Sequence, residues 1–353
     1  MREILNDLIR ELEAGNSIVL VTVVRHAGST PRGPGARMLV RSNGSIVGTI
    51  GGGALEAYIH RSAIKVFASR ASILVPFNLN PDDANSLGMI CGGEGQVLVE
   101  YIDCGDPRWL QSYKLVAERS RQGTPAWMVS AVPSQVMAEC AAGLWVVGSD
   151  CAIVARAGSD FGDAEALATL AANSRSFTVI KELGVMIDQA GNDSTALVFG
   201  AGHVARSLVP VLASIGFRTV VLDDRSEFVQ PDHFDRADQL VLLDSFSNPF
   251  AGLSVTESSY IIIVTRGHVL DKSVLKQSLA SQAGYIGLIG SRRKLHLTFQ
   301  ALLEEGITKE ELERVHAPIG LEIGAESPAE IAVSIAAELI KVRAGRLVRG
   351  ASA

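Results

Sequence analysis

Cysteine is scarce in this sequence and poorly spaced for metal. The four cysteines, Cys91, Cys104, Cys140 and Cys151, form no C-x-x-C pair, so a zinc or iron–sulfur centre held within the chain has little support. In a reducing compartment they are expected as thiols, and a single functional cysteine is the better expectation. A strong charge of one sign is also missing. The formal net charge is −6 and no block of Lys and Arg stands out, which removes the general electrostatic footprint for nucleic acid or an anionic membrane. No segment approaches the roughly 20 apolar residues that span a bilayer. The first stretch, MREILNDLIRELEAG, has the pattern of an amphipathic helix and no apolar run of signal-peptide length. The expectation is a cytoplasmic chain without nucleic-acid or membrane partners. What the sequence does have is length and apolar residues: 353 residues, 47% of them hydrophobic, suffice for two cores.

The apolar pattern changes character midway. Ile4, Leu5, Leu8 and Leu12 share one helical face, and Ser17–Val24 reads as a strand. Ala27–Ala36 is dense in Gly and Pro and predicts a loop. Met38–Val40 and Ser45–Thr49 flank Ser42-Asn43-Gly44 as a hairpin, and helical spacing resumes over Ala54–Ala68. Val97, Val99 and Tyr101 alternate with Gln96, Leu98 and Glu100, which predicts a strand. Shorter strands are expected at Ala126–Val132, Leu144–Val147 and Ala152–Ala155. This half reads as a mixed α+β domain. Beyond Gln189–Ser194, short and nearly continuous apolar runs appear at Thr195–Phe199, Arg218–Leu222, Gln239–Leu243, Tyr260–Val264 and Tyr285–Ile289. Such runs suit strands buried on both faces. Helical segments between them, notably Val204–Ile215 and Ser273–Ser281, predict a Rossmann-like, doubly wound parallel sheet. The expected domains are residues 1–190 and 191–353. Ser327-Pro328-Ala329-Glu330 is a capping box with Pro at the first helical position, opening a last helix that should pack on the sheet.

The clearest motif is Gly200-Ala201-Gly202-His203-Val204-Ala205, which follows a strand and opens a helix. It has the G-x-G-x-x-A form of the dinucleotide fingerprint: a tight turn, a close approach to a pyrophosphate, then a small residue for helix–strand packing. Helix N–H groups would face the anion. Asp223 and Asp224 end the next strand, where an acid takes ribose hydroxyls. Arg225 follows them and leaves the cofactor preference unreadable. An empty Rossmann-like fold would carry the same pattern. Gly290-Ser291-Arg292-Arg293-Lys294 lies past the fifth strand and reads equally as a phosphate contact or a solvated helix start. Thr265-Arg266-Gly267-His268 occupies the same place after the fourth strand, so His203 and His268 share that edge.

The first half carries three glycine loops: Gly28-Ser29-Thr30-Pro31-Arg32-Gly33-Pro34-Gly35, then Gly48-Thr49-Ile50-Gly51-Gly52-Gly53 with Glu56, then Gly88-Met89-Ile90-Cys91-Gly92-Gly93-Glu94. Each alone is more readily a turn. Three within about 70 residues suggest backbone donors gathered around an anionic, planar ligand. Cys91 is the thiol of interest. Arg32 or Arg37 is the cation that would favour its thiolate, and a buried, inert cysteine is the alternative.

Taken together, these loops resemble the xanthine dehydrogenase accessory factor family (XdhC/CoxI) over nearly the whole chain. The carriers are Gly28–Arg32, Gly48–Gly53 with Glu56, Cys91-Gly92-Gly93, Gly200–His203, Tyr285–Arg292, Pro318-Ile319-Gly320-Leu321 and Ser327–Ala332. Residues 104–190 hold no recognised motif. The resemblance implies a maturation factor that binds molybdenum cofactor, as molybdopterin or its cytosine dinucleotide form. Such a factor holds the cofactor while a cysteine desulfurase supplies its sulfido ligand, then inserts it into an apo molybdenum hydroxylase. It makes Cys91 the implied cofactor contact and molybdenum ligand. Gly92, Gly93, Arg32, Gly51, Gly52, Gly53 and Glu56 are expected around it. Gly200, Gly202, His203, Asp223, Asp224, Ser291 and Arg292 are expected to bind a nucleotide. A homodimer whose two chains close the site is the expected assembly, and a chaperone is favoured over an enzyme. The alternatives are an NAD(P)-dependent oxidoreductase or a nucleotide-sensing Rossmann module.

Overall fold

The computed structural model describes residues 2–28, 30, 32–79, 93–174, 177–190 and 194–350. The chain divides into two units, residues 1–192 and 193–353.

The first unit runs α1 (Arg2–Glu13), β1 (Ile18–Gly28), β2 (Arg37–Arg41), β3 (Ile46–Gly48), α2 (Gly53–Ser69), β4 (Ser72–Asn78) and β5 (Gly93–Ile102). It continues through α3 (Pro107–Gln122), β6 (Ala126–Ala131), β7 (Glu139–Cys140), β8 (Gly143–Gly148), β9 (Ile153–Gly158), α4 (Ala164–Asn173), β10 (Thr178–Ile180) and β11 (Val185–Ala190). Two antiparallel sheets result, in the orders β3-β2-β1-β5-β4-β7 and β10-β11-β6-β8-β9. Leu20 and Leu39 of the first sheet share a core with Met128 and Val146 of the second, closed by Leu8 of α1 and Trp109 and Val116 of α3. The opposite face of the first sheet, through Val19, Val21 and Val40, is covered by Leu55, Ile59 and Ala63 of α2. Both faces of β1 are therefore dry over residues 18–24, which explains an apolar run broken only by Thr22.

Two expectations change here. Ala27 and Gly28 are not loop: β1 extends through them, and they pair with Glu94 and Gly93 of β5. The alternation along β5 does not mark one wet face, because Leu98 and Glu100 are buried along with Val97 and Val99. The face that carries Glu100 is covered too.

The second unit runs β12 (Thr195–Phe199), α5 (His203–Ser214), β13 (Arg218–Asp223), β14 (Gln239–Leu242), β15 (Ser259–Ile263), α6 (His268–Leu279), β16 (Tyr285–Leu288), α7 (Arg292–Glu304), α8 (Lys309–Leu312), β17 (Val315–His316) and α9 (Pro328–Gly350). All six strands are parallel, in the order β14-β13-β12-β15-β16-β17. Numbered along the chain, that is the 3-2-1-4-5-6 order of dinucleotide-binding sheets, with its switch point between β12 and β15. Helices α5 and α9 cover one face through Leu208, Leu212, Ile335 and Leu339. Helices α6 and α7 cover the other through Val274, Leu275, Leu295 and Leu302. The sheet is doubly wound, as expected. The Ser327–Glu330 capping box forms: the Glu330 carboxylate accepts the Ser327 N–H at 2.9 Å, and Ser327 accepts the Glu330 N–H at 3.3 Å. It starts α9 at the angle that buries Ile335 and Leu339, each contributing about 1.5–3 kcal/mol.

Among the described residues, no helix is long and apolar enough to cross a membrane.

Candidate functional site

The register of the first sheet gathers the glycine loops. Gly28 ends β1 directly opposite Gly93, the first residue of β5. Arg37 begins β2 opposite Thr22 of β1, and Gly48 ends β3 opposite Met38. The loop after β1, the loop after β3 and the start of β5 therefore lie toward the same end of the sheet, Gly48 standing level with Val21 and the Gly28–Gly93 pair seven residues further along β1. Arg32 is exposed in the first of them, its carbonyl accepting the Thr30 hydroxyl at 3.2 Å. Cys91 and Gly92 lie outside the described residues, and Gly93 is the buried strand residue that follows them.

The second loop is built around Glu56. Gly51, Gly52 and Gly53 all have left-handed φ, at 136°, 76° and 60°, a sequence of conformations that only consecutive glycines adopt without strain. Glu56 Oε1 accepts the Thr49 hydroxyl, the Ile50 N–H at 3.0 Å and the Gly52 N–H at 2.9 Å, while Thr49 Oγ1 accepts the Gly51 N–H at 3.1 Å. Burial alone would raise the Glu56 pKa, but the Thr49 hydroxyl and these amides outweigh it and hold the carboxyl below its usual range. The structure thus gives Glu56 an internal task. It supplies an anion to the Ile50 and Gly52 amides, which would otherwise be open to a ligand, and it fixes the conformation of the loop. Thr49, unremarked in the sequence, completes the arrangement; a hydroxyl two residues before Gly51 was the available signal.

Arg37 is not available to a loop thiol. Its side chain is 5% exposed, donates to Thr22 at 3.2 Å and to Asp188 at 2.6 Å, and faces the buried Glu100. Of the two expected cations, Arg32 is left, and it is exposed. The three described cysteines, Cys104, Cys140 and Cys151, are free thiols, and burial pushes the Cys140 thiol up.

The carboxyl edge of the second unit has its own geometry. Gly200 turns at φ 113° because a Cβ there would lie 2.5 Å from the Val264 carbonyl. Gly202 begins α5 with nothing within 4 Å of a Cβ, and Gly267 begins α6 in the same way. Neither helix start carries a side-chain cap, whereas Ser291 caps α7 and Thr308 caps α8. His203 and His268, the first residues of α5 and α6, are both exposed. Ser291 caps α7: its hydroxyl accepts the Lys294 N–H at 3.3 Å. Arg292 is exposed beside Glu322. Lys294 turns inward and pairs with Asp271, a fully buried carboxylate that also accepts the Thr265 hydroxyl at 2.6 Å. Asp223 is buried, and desolvation opposes its charge, but Arg225 and the Ala201 amide hold its pKa below the usual range. Asp224 is paired with Arg266.

Strand order, glycine turn and uncapped helix starts define the second unit as a Rossmann domain, preceded by a glycine-loop domain of antiparallel sheets. The chain belongs to the XdhC and CoxI family. The family's own sequence profile matches residues 11–78, and the profile of the XdhC Rossmann domain matches residues 196–339. Among curated proteins, the chain is 25% identical over 343 residues to a probable xanthine dehydrogenase subunit of Bacillus subtilis, spanning 94% of this chain and 95% of that protein. It is 22% identical over 343 residues to the molybdenum cofactor insertion chaperone PaoD of Escherichia coli, spanning 97% and 88%. It is 25% identical over 324 residues to the uncharacterized protein YqeB of Escherichia coli, covering 92% of this chain but only 43% of that longer protein. A crystal structure of a xanthine dehydrogenase from Bacillus halodurans shares the fold, with a TM-score of 0.78, 24% identity and 96% of each chain covered.

Proposed function

We propose that this chain is a maturation factor that carries molybdenum cofactor as cargo and inserts it into a molybdenum hydroxylase of the xanthine or aldehyde oxidoreductase class. What supports the reading most is the antiparallel register of the first sheet, which directs the loop of Arg32, the loop of Gly51–Gly53 and the start of β5 at Gly93, two residues after Cys91 in sequence, toward the same end. The relatives named for xanthine dehydrogenase and for cofactor insertion point the same way.

The chemistry suits a carrier. The cargo is anionic through its phosphate, and the exposed Arg32, with backbone amides other than those of Ile50, Gly51 and Gly52, can hold an anion without a multidentate cage. The Cys91 thiolate would contact molybdenum. Glu56 serves by rigidifying Gly51–Gly53 rather than by touching the cargo. A site of one thiol and a few amides binds with intermediate strength, as delivery requires. On the same reading the protein is a cytoplasmic homodimer that holds the cofactor while a cysteine desulfurase supplies its sulfido ligand. The cargo is molybdopterin or its cytosine dinucleotide form.

The test is retention of molybdenum cofactor by the purified protein on filtration, with Cys91→Ala and Arg32→Ala alongside. The wild type should retain pterin, Cys91→Ala should lose it, and Arg32→Ala should weaken it. Equal retention by wild type and Cys91→Ala removes the thiol from the site, and no retention by any of them removes the reading.

A further inference from the structure

The strand order and the Gly200–Ala205 turn imply a dinucleotide, but the ribose position does not fit one. In sheets of this kind the acid that ends the second strand takes the adenosine ribose hydroxyls. Here that acid is Asp223, and it is 1% exposed. An ionised carboxylate has about four acceptor positions. The protein's own donors fill all four. Oδ2 accepts the Ala201 N–H at 2.8 Å and Arg225 Nη2 at 2.9 Å. Oδ1 accepts the Arg225 N–H at 3.1 Å and Arg225 Nε at 2.9 Å. Arg266 adds a second cation 3.7 Å from Oδ1. A ribose diol would arrive with two donors and find no lone pair.

Arg225 is not placed there loosely. Its guanidinium lies 3.7 Å from the centroid of the Phe228 ring, so stacking and a bidentate ion pair fix it together. Arg225 brings Asp223 a full opposite charge and a bidentate fork, whereas a ribose diol brings two hydroxyls and no charge, so the diol does not replace it at equal cost. A ribose 2′-phosphate fares no better. The two arginines against Asp223 are already paired, Arg225 with Asp223 and Arg266 with Asp224, and these four charges sum to zero, while Arg206 over the Phe228 ring is engaged with His233.

We propose that Arg225 is a specificity-determining residue that stands in for the adenosine ribose on Asp223, so that this Rossmann unit rejects NAD(H) and NADP(H) despite its glycine fingerprint. The crevice admits only ligands that ask nothing of Asp223. The proposal rests on the second unit alone and is independent of the pterin cargo.

The experiment is a titration of the full-length protein with NADH and with NADPH, followed by nicotinamide fluorescence up to about 1 mM, the top of the usual KM range. The wild type should bind neither. Arg225→Ser frees two acceptor positions on Asp223 and should tighten NADH binding at least about tenfold. Arg225→Lys keeps the cation but cannot span both carboxylate oxygens, and should give a smaller, measurable gain. Saturable binding of either dinucleotide by the wild type overturns the proposal. So does failure of both variants, shown to be folded by circular dichroism, to bind NADH more tightly than the wild type. If Arg225→Ser does not fold, Arg225→Lys and the wild-type titration decide.

Discussion

Glu100 provides a quantitative test of how the glycine-loop end is supported. It lies on β5, the strand whose first residue, Gly93, sits opposite Gly28, and it is 3% exposed. Burial pushes its pKa from 4.5 up to about 8, although Arg37 pulls the other way. In the unfolded chain the carboxyl ionises near its ordinary value. Between the two, the folded protein holds one proton that the unfolded chain has released, so stability must fall as pH rises. The contribution is intact below pH 4.5, declines by about 1.4 kcal/mol per pH unit, and is lost above about pH 8, a total of about 5 kcal/mol. Glu100→Gln keeps the shape and has no proton to lose, while Arg37 keeps Asp188 as its partner. The variant should match the wild type near pH 5 and exceed it by several kcal/mol at pH 8.5. Urea unfolding followed by tryptophan emission reads this unit alone, since all three tryptophans, Trp109, Trp127 and Trp145, belong to it. Urea midpoints of variant and wild type that move in parallel from pH 5 to pH 8.5 would refute the reasoning.

Other outcomes follow from the same geometry. Glu56→Gln retains an acceptor but loses the charge that gathers Thr49, Ile50 and Gly52; it should cost about 1–3 kcal/mol and speed amide exchange at Gly51–Gly53, measured by hydrogen exchange. Gly200→Ala should destabilise the second unit by more than about 1 kcal/mol, because φ is 113° and the new Cβ would meet the Val264 carbonyl at 2.5 Å. Gly202→Ala, whose Cβ meets nothing within 4 Å, should leave the thermal midpoint nearly unchanged. Asp271→Asn should cost about 3–5 kcal/mol by stranding Lys294 beside a neutral group, read by circular dichroism in urea.

Much of the Rossmann half could be read in advance, because strands buried on both faces announce themselves as continuous apolar runs and the glycine turn has a fixed place after the first of them. Strand β17 could not, being two residues long and held by neighbours rather than by its own pattern. In the first half, β4 was hidden by Pro76, which breaks a strand pattern even though its missing N–H does no harm to the pairing with Gln96. Glu100 disguised a two-sided strand as a one-sided one. The candidate loops are visible as glycine clusters, but β1 continuing through Gly28 to pair with Gly93 is not, because a Gly-rich segment gives no local sign of a strand. Asp223 was found by its distance from the fingerprint. That its acceptor positions are already filled is a matter of where Arg225 folds back, which spacing does not encode.

Transfer is the direct measurement of the proposed role. An apo molybdenum hydroxylase of the xanthine or aldehyde oxidoreductase class is incubated with free sulfurated cofactor, or with the same amount preloaded on this protein, and its recovered turnover is compared. The account predicts faster and fuller recovery from the loaded protein, and little advantage from Cys91→Ala. Equal recovery with and without the protein would contradict it.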